Sequence, residues 1–230
     1  MMLAPILQPQ IISSLIVTGI LCVLCVVVGI LVDHTDVDKK PLKIVTLMEM
    51  LVGLINNLCK DNLGRNWKHY APYILSIALY LTFANLSGLF GLTPPTCSWN
   101  VTIALSVISF FMIQYTAIKS NGLFPYLKSF FSPVFFLFPI NLLGEFTFPL
   151  SLSLRLFGNI LSGAVFSKLL YGLAGKNAVM PFIIPIPMAA FHAIFDVFFG
   201  IIQVVVFVLL TVIFISQKLN EKEFILEEEK

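Results

Sequence analysis

One arginine, Arg155, stands in the middle of an apolar run, FPLSLSLRLFGNILSGAVF. At the centre of a membrane helix an arginine costs about 2.5 to 3.5 kcal/mol on insertion scales, and its guanidinium does not shed its proton to escape that cost. The charge is permanent and needs compensation. One reading is a structural ion pair with Glu145 or Asp196 of the same chain. The other is a fixed positive charge on an ion pathway, facing a carboxylate that comes and goes. The neighbours favour the second, because Ser151, Arg155, Asn159 and Ser162 fall at i, i+4, i+8 and i+11 and so share one helical face. Gly158 and Gly163 keep the surface beside that stripe low, which permits close approach of another helix.

A second stripe lies near the end of the chain. His192, Asp196, Gly200 and Gln203 are spaced four, four and three apart and line one face of a helix. Ionisable and amide groups there need water or protein around them, not lipid. Asp196 and His192 read as proton acceptors on such a path, with Gln203 as a neutral partner for Arg155 deeper in the membrane. Taken alone, His192 reads first as a satisfied histidine at the membrane interface, because it lies near the start of the helix. Glu145, in INLLGEFTFP, either caps a helix led by Pro149 or lines an entry to the same path. Asn85, a single amide in a span, reads as glue between helices.

The elements that must position these residues follow from composition. The chain has 230 residues, 58% of them apolar and 11% charged, with a mean hydropathy of +0.96. A water-soluble globular domain is excluded on those grounds, and an all-α integral membrane protein forming a single membrane domain over 1–230 is expected. Residues 11–32 read as a first span, and 40–68 as an amphipathic segment on the membrane surface, with Ile44, Leu47, Met48, Leu51, Leu54 and Ile55 at helical spacing. Two further spans, 72–92 and 100–117, make a hairpin over 72–117 joined by TPPTCSWN. A long hairpin over 131–217 carries both stripes. Pro133, Pro139 and Pro149 interrupt its first part, which predicts a re-entrant or interfacial piece and then a helix starting near Pro149. Met188 to Gln217 runs 30 residues without a breaker, a helix of about 45 Å that must tilt or protrude from a core of roughly 30 Å.

Residues 1–32 hold no Lys or Arg, so the first run is expected to stay as a span and not act as a cleaved signal. Six of the 14 basic residues fall in the first connection and others at Lys119, Lys128 and in the tail 218–230. That places the N-terminus outside and the C-terminus in the cytoplasm, with five spans. Cys22 and Cys25 form C-x-x-C inside an apolar run, where thiols serve as small buried hydrophobes, not as redox or zinc groups. Net charge is +2 with no basic cluster, so no nucleic-acid role is expected.

With both stripes in view, the sequence resembles subunit a of the F-type ATP synthases. The likeness rests on SLSLRLFGNILSG and FFGIIQVVVFVLLTVIFIS, supported by NLSGLFGLTPPTCSWNVT, and covers most of residues 70–217. The resemblance implies an ion-translocating stator subunit beside a rotating c-ring, held by the peripheral-stalk subunit b in a lipid membrane and moving H+ or Na+. It also implies that Arg155 matches the family's essential arginine, Asn159 the asparagine after it, and Gln203 the glutamine of the last helix. Asp196 falls where many members carry an ionisable group, and Glu145 resembles the acid that bacterial members place ten residues before the arginine. The departure is Ala164, where many relatives carry Glu or His, so Asp196 and His192 would have to supply that relay. No cofactor is implied. The chain has no GxxxxGK[ST] loop, so ATP chemistry belongs to other subunits. Two rival readings stay open at this point: a secondary transporter binding an anionic substrate at Arg155, which would require broken helices or a repeat that the sequence does not display, and a scaffold in which Arg155 only pairs with Asp196.

Overall fold

The computed structural model describes residues 9–34, 43–90, 94–131, 136, 138–174 and 197–219. His192, Asp196, the start of the last predicted helix and nearly all of the 218–230 tail lie outside these residues. Among the described residues the regular structure is entirely helical. The helices are α1 (Pro9–Asp33), α2 (Lys43–Leu63), α3 (Trp67–Leu86), α4 (Trp99–Asn121), α5 (Leu123–Ser129), α6 (Phe138–Ala174) and α7 (Phe199–Lys218). Single 3-10 turns at Gly64–Asn66, Ser87–Phe90 and Pro95–Cys97 link α2 to α3 and α3 to α4.

Three helices, over Gln10–Val32, Trp99–Asn121 and Phe199–Lys218, are long and apolar enough to cross a membrane by length and composition. α3 and α6 are the remaining two of the five expected spans, and both carry more polar residues. α3, α4, α6 and α7 pack into one core, in which Ile74, Leu81, Ile113, Leu152, Leu156, Phe207, Val212 and Ile215 are fully buried. α1 sits at the edge. Its Leu15, Val23 and Val26 are more than half exposed, the expected state of a helix whose outer face meets lipid instead of protein. Cys22 and Cys25 lie on that exposed surface, so the expectation that their thiols are buried is corrected; Cys59 of α2 is buried, and its thiol is pushed up to about 11 by that burial.

A further expectation is corrected. The helix bearing Arg155 does not start near Pro149: α6 runs from Phe138, 37 residues in all, with Pro149 inside it, or about 55 Å of helix. Proline removes the N–H that would reach the Glu145 carbonyl one turn back, and neighbouring helices pack against the segment on either side of it. Phe110 of α4 stacks on Phe146 at 5.7 Å, Trp99 meets Phe157 edge-on at 5.2 Å, and Phe214 of α7 packs on Phe148 at 4.3 Å. α2 buries Val45, Ile55, Cys59 and Leu63 and packs against α3 and α7, while Leu47 and Leu54 are exposed, which leaves apolar residues on the side that a membrane surface would cover.

α4 ends where it must. Gly122 adopts φ +82, a left-handed conformation that glycine enters without strain, and its N–H closes on the Ile118 carbonyl at 2.9 Å. The chain then turns directly into α5, which lies across the same end of the bundle.

Candidate functional site

Arg155 projects from the middle of α6 on its exposed side, whereas Leu152, Ser153 and Leu156 face the core. Among the described residues its guanidinium makes no hydrogen bond and no ion pair. Apolar residues flank it, with Leu150, Leu154, Leu161, Val165 and Leu169 all between 45% and 62% exposed, and Ser151 is exposed one turn before it. Ser162 lies on the exposed surface too, and its hydroxyl donates to the Gly158 carbonyl of its own helix at 2.7 Å. Asn159 continues the helix one turn beyond the arginine. Among the described residues a Cβ placed on Gly158 would meet nothing within 4 Å, so the space beside Arg155 is open as far as those residues go.

Gln203 occupies the opposite kind of environment. It is 6% exposed on the inner face of α7, and among the described residues its Nε2 has no hydrogen-bond partner and no hydrogen bond joins it to Arg155. Ser153 Oγ, 1% exposed on α6, is likewise without a partner. Buried donors without partners cost about 1 to 3 kcal/mol each, so water or an ion path is the natural resolution at both atoms. Gly200 shares the buried face with Gln203, as the sequence spacing requires.

That face of α7 is seated by a network the sequence showed only in part. Asn85 of α3 donates from Nδ2 to the Gly200 carbonyl at 3.0 Å, and Thr96 donates to Asn85 Oδ1 at 3.1 Å. Asn85 is thus glue between helices, and Thr96 holds its amide in orientation.

Glu145 is neither a cap nor a free acid. It sits inside α6, seven residues past the first, and the capping role is overturned because the helix is already formed at that point. Its Oε2 accepts a hydrogen bond from Gln114 Nε2 at 3.0 Å, and its Oε1 pairs with Lys218 Nζ at the end of α7. Tyr126 of α5 donates its hydroxyl to Gln114 Oε1, and Lys218 Nζ lies 5.9 Å from the Tyr126 ring centroid. Four helices therefore meet at one acid. Sequence reading missed Gln114, Tyr126 and Lys218; the one available signal was an amide, Gln114, isolated in an apolar span.

The phenol of Tyr126, on a helix too short to span, is raised from 10.0 to about 12 by burial and then by the Glu145 charge, with the Gln114 hydrogen bond acting the other way. A folded-state value above the unfolded one means that the docking of α5 is at full strength below pH 10 and weakens as pH rises through about 12. Glu145→Gln removes the repelling charge and is expected to bring the Tyr126 titration down from about 12. Near-ultraviolet phenolate absorbance, taken as the difference from a Tyr126→Phe complex, measures it; an unmoved midpoint refutes the contact.

Comparison with known proteins bears on the whole helical region. The family described as ATP synthase A chain matches residues 11–216. The chain is 34% identical over 206 residues to ATP synthase subunit a of Geobacter sulfurreducens, covering 87% of this chain and 85% of that one. It is 36% identical over 213 residues to ATP synthase subunit a of a Sulfurihydrogenibium species, covering 89% and 98%. It is also 33% identical over 194 residues to the sodium-ion-specific ATP synthase subunit a of Propionigenium modestum, covering 77% and 64%. On the extent of the family match and of these identities, the chain belongs to the ATP synthase A chain family.

Proposed function

We propose that the chain forms two offset ion half-channels and presents Arg155 to the carboxylates of a c-ring, so that ion flow is coupled to ring rotation. Family membership gives the coarser statement, an ion-translocating membrane subunit of ATP synthase that does no ATP chemistry itself. The observation that carries the finer one is the exposed Arg155, without an acid partner among the described residues, on a face of α6 that it shares with the exposed Ser151 and Ser162 and that is flanked by exposed leucines.

The coupling follows from desolvation. A ring carboxylate is tolerable in lipid only when neutralised by a proton or sodium ion, and opposite a guanidinium it is stable when ionised. An ion arriving by one half-channel neutralises the carboxylate, the ring turns, and the carboxylate releases its ion to the other half-channel as it returns to Arg155. The fixed charge also repels a cation trying to pass straight between half-channels. Each charge crossing the membrane delivers about 2.3 kcal/mol per 100 mV.

In this reading Asn159 and Ser162 extend the polar side of α6, Gln203 and the unpartnered Ser153 hydroxyl face water inside the bundle, and Asp196 with His192 supplies the relay that Ala164 lacks. Glu145 lies where the cytoplasmic half-channel would open, given the N-terminus outside and the C-terminus inside. Subunit b would hold the assembly as stator.

Purification from native membranes is the test. A small hairpin protein with a mid-membrane carboxylate is expected to co-purify, and its absence from an intact preparation overturns the reading. Reconstituted vesicles energised by a proton gradient, with and without sodium, then assign the ion.

A further inference from the structure

A polar cavity lies at one end of the bundle, away from Arg155. Its volume is about 150 Å³, and it is lined by Asn66, His69 and Tyr70 at the start of α3, Thr116, Lys119 and Ser120 at the end of α4, and Leu219 just after α7. At roughly 30 Å³ per water in the liquid, this space suits one small tetrahedral group and is too small for a nucleotide.

Its chemistry selects the sign of the ligand. The lining offers an ammonium, an imidazole, an amide and three hydroxyls, and no Asp or Glu. Tyr70 is 3% exposed, and its hydroxyl makes no hydrogen bond among the described residues. A phenol hydroxyl that lines a polar cavity can donate to an acceptor placed there. Arg65 and Lys68 add positive charge on the same turns of chain, and Lys68 Nζ lies over the Trp67 ring at 5.8 Å.

An apolar track leads away from the cavity. Ile108, Phe111, Tyr115 and Ile118 follow one another along the outer side of α4 and are 52%, 67%, 53% and 38% exposed. Lys119 connects the two, since it lines the cavity while its Nζ lies 5.8 Å from the Tyr115 ring centroid. A polar cup for an anion beside a lipid-width apolar track is the arrangement by which basic pockets between membrane helices hold phospholipid head groups.

We propose that this cavity binds a phosphate group, with Lys119 neutralising it and the His69 imidazole and Tyr70 hydroxyl donating to it. The carrier is a membrane phospholipid whose acyl chain lies along Ile108 to Ile118, or else free phosphate. This site is independent of the ion path, so its failure would leave the role of Arg155 untouched, and the reverse.

The assembled complex in detergent, mixed with phosphatidylglycerol bearing a photoreactive group on its acyl chain, provides the test. Crosslinks are expected on α4 between Ile108 and Ile118. Lys119→Gln should lower their yield about five-fold, the effect of one cation beside an anionic lipid. Lys128→Gln, a basic residue of the neighbouring α5 that does not line the cavity, should leave it unchanged. Inorganic phosphate in excess distinguishes the carriers: protection of Lys119 from amine acylation by phosphate, with no lipid crosslink, assigns the free ion, and an undiminished crosslink assigns the lipid. If Lys119→Gln prevents assembly, His69→Phe, which removes the imidazole donor, replaces it, and the crosslink yield is again expected to fall. Neither crosslink nor phosphate protection in the native complex, equal yield in the cavity variant, or equal loss in Lys128→Gln overturns the proposal.

Discussion

Arg155→Lys is expected to cut ion-driven ATP synthesis by on the order of 100-fold, the scale of losing one aimed charge from a preorganised site, while the complex still assembles. The substitution keeps a positive group but changes its nature. A guanidinium holds its proton in any surroundings and offers five donors in a planar fork, whereas a lysine ammonium is a compact charge that readily loses its proton when desolvated. At mid-membrane that difference decides whether the barrier between the two half-channels survives each time the ring carboxylate leaves. Arg155→Ala should go further and open a passive leak, read as faster collapse of an imposed membrane potential in vesicles. The result that sinks this account is full coupling in Arg155→Lys. A structural ion pair tolerates a lysine, and that outcome would return the arginine to a packing role. The surroundings of Arg155 give such a role little to work with, because its face of α6 is exposed and no acid of the described residues reaches it.

What made Arg155 legible in the sequence was cost: a permanent charge in an apolar run has few explanations. Long spans were legible for a related reason, since an apolar run of membrane length has only one economical conformation. α1, α4 and α7 accordingly follow their apolar runs closely. Pro149 misled because the rule that proline starts or breaks helices describes chains in water, where an alternative to helix is always at hand. In lipid the alternative would expose unpaired backbone, so the helix continues through it. The packing of α2 was not legible, because periodicity names its apolar residues and not its neighbours: the position of α3 and α7 leaves Leu54 outside and covers Cys59 fully. The Glu145 cluster was hidden for a different reason. Its members come from four helices, and periodicity along one helix carries no information about which amide of another will face it.

Two glycines one helix apart should respond oppositely to the same enlargement. Gly200→Leu is expected to destabilise the fold by on the order of 2 to 5 kcal/mol, combining overpacking with a buried amide left unpaired. A Cβ at Gly200 already lies 3.3 Å from Asn85 Cβ, tighter than an ordinary contact, and three further carbons must push α7 away from α3. That movement stretches the 3.0 Å bond from Asn85 Nδ2 to the Gly200 carbonyl and strands both Asn85 and Thr96 in a place where water does not readily replace them. Gly158→Leu meets no atom of the described residues within 4 Å at its Cβ, so the isolated subunit should keep its stability within about 0.5 kcal/mol. Its extra volume would instead project beside Arg155 into the space assigned to the ring, so ATP synthesis should fail in a well-folded protein. Thermal unfolding of the purified subunit and ATP synthesis by the assembled complex separate the two effects. Loss of stability in Gly158→Leu, or normal coupling in it, would mean that the groove beside Arg155 is filled by this chain or by lipid alone, and the assignment of that face to a rotor would fall with it.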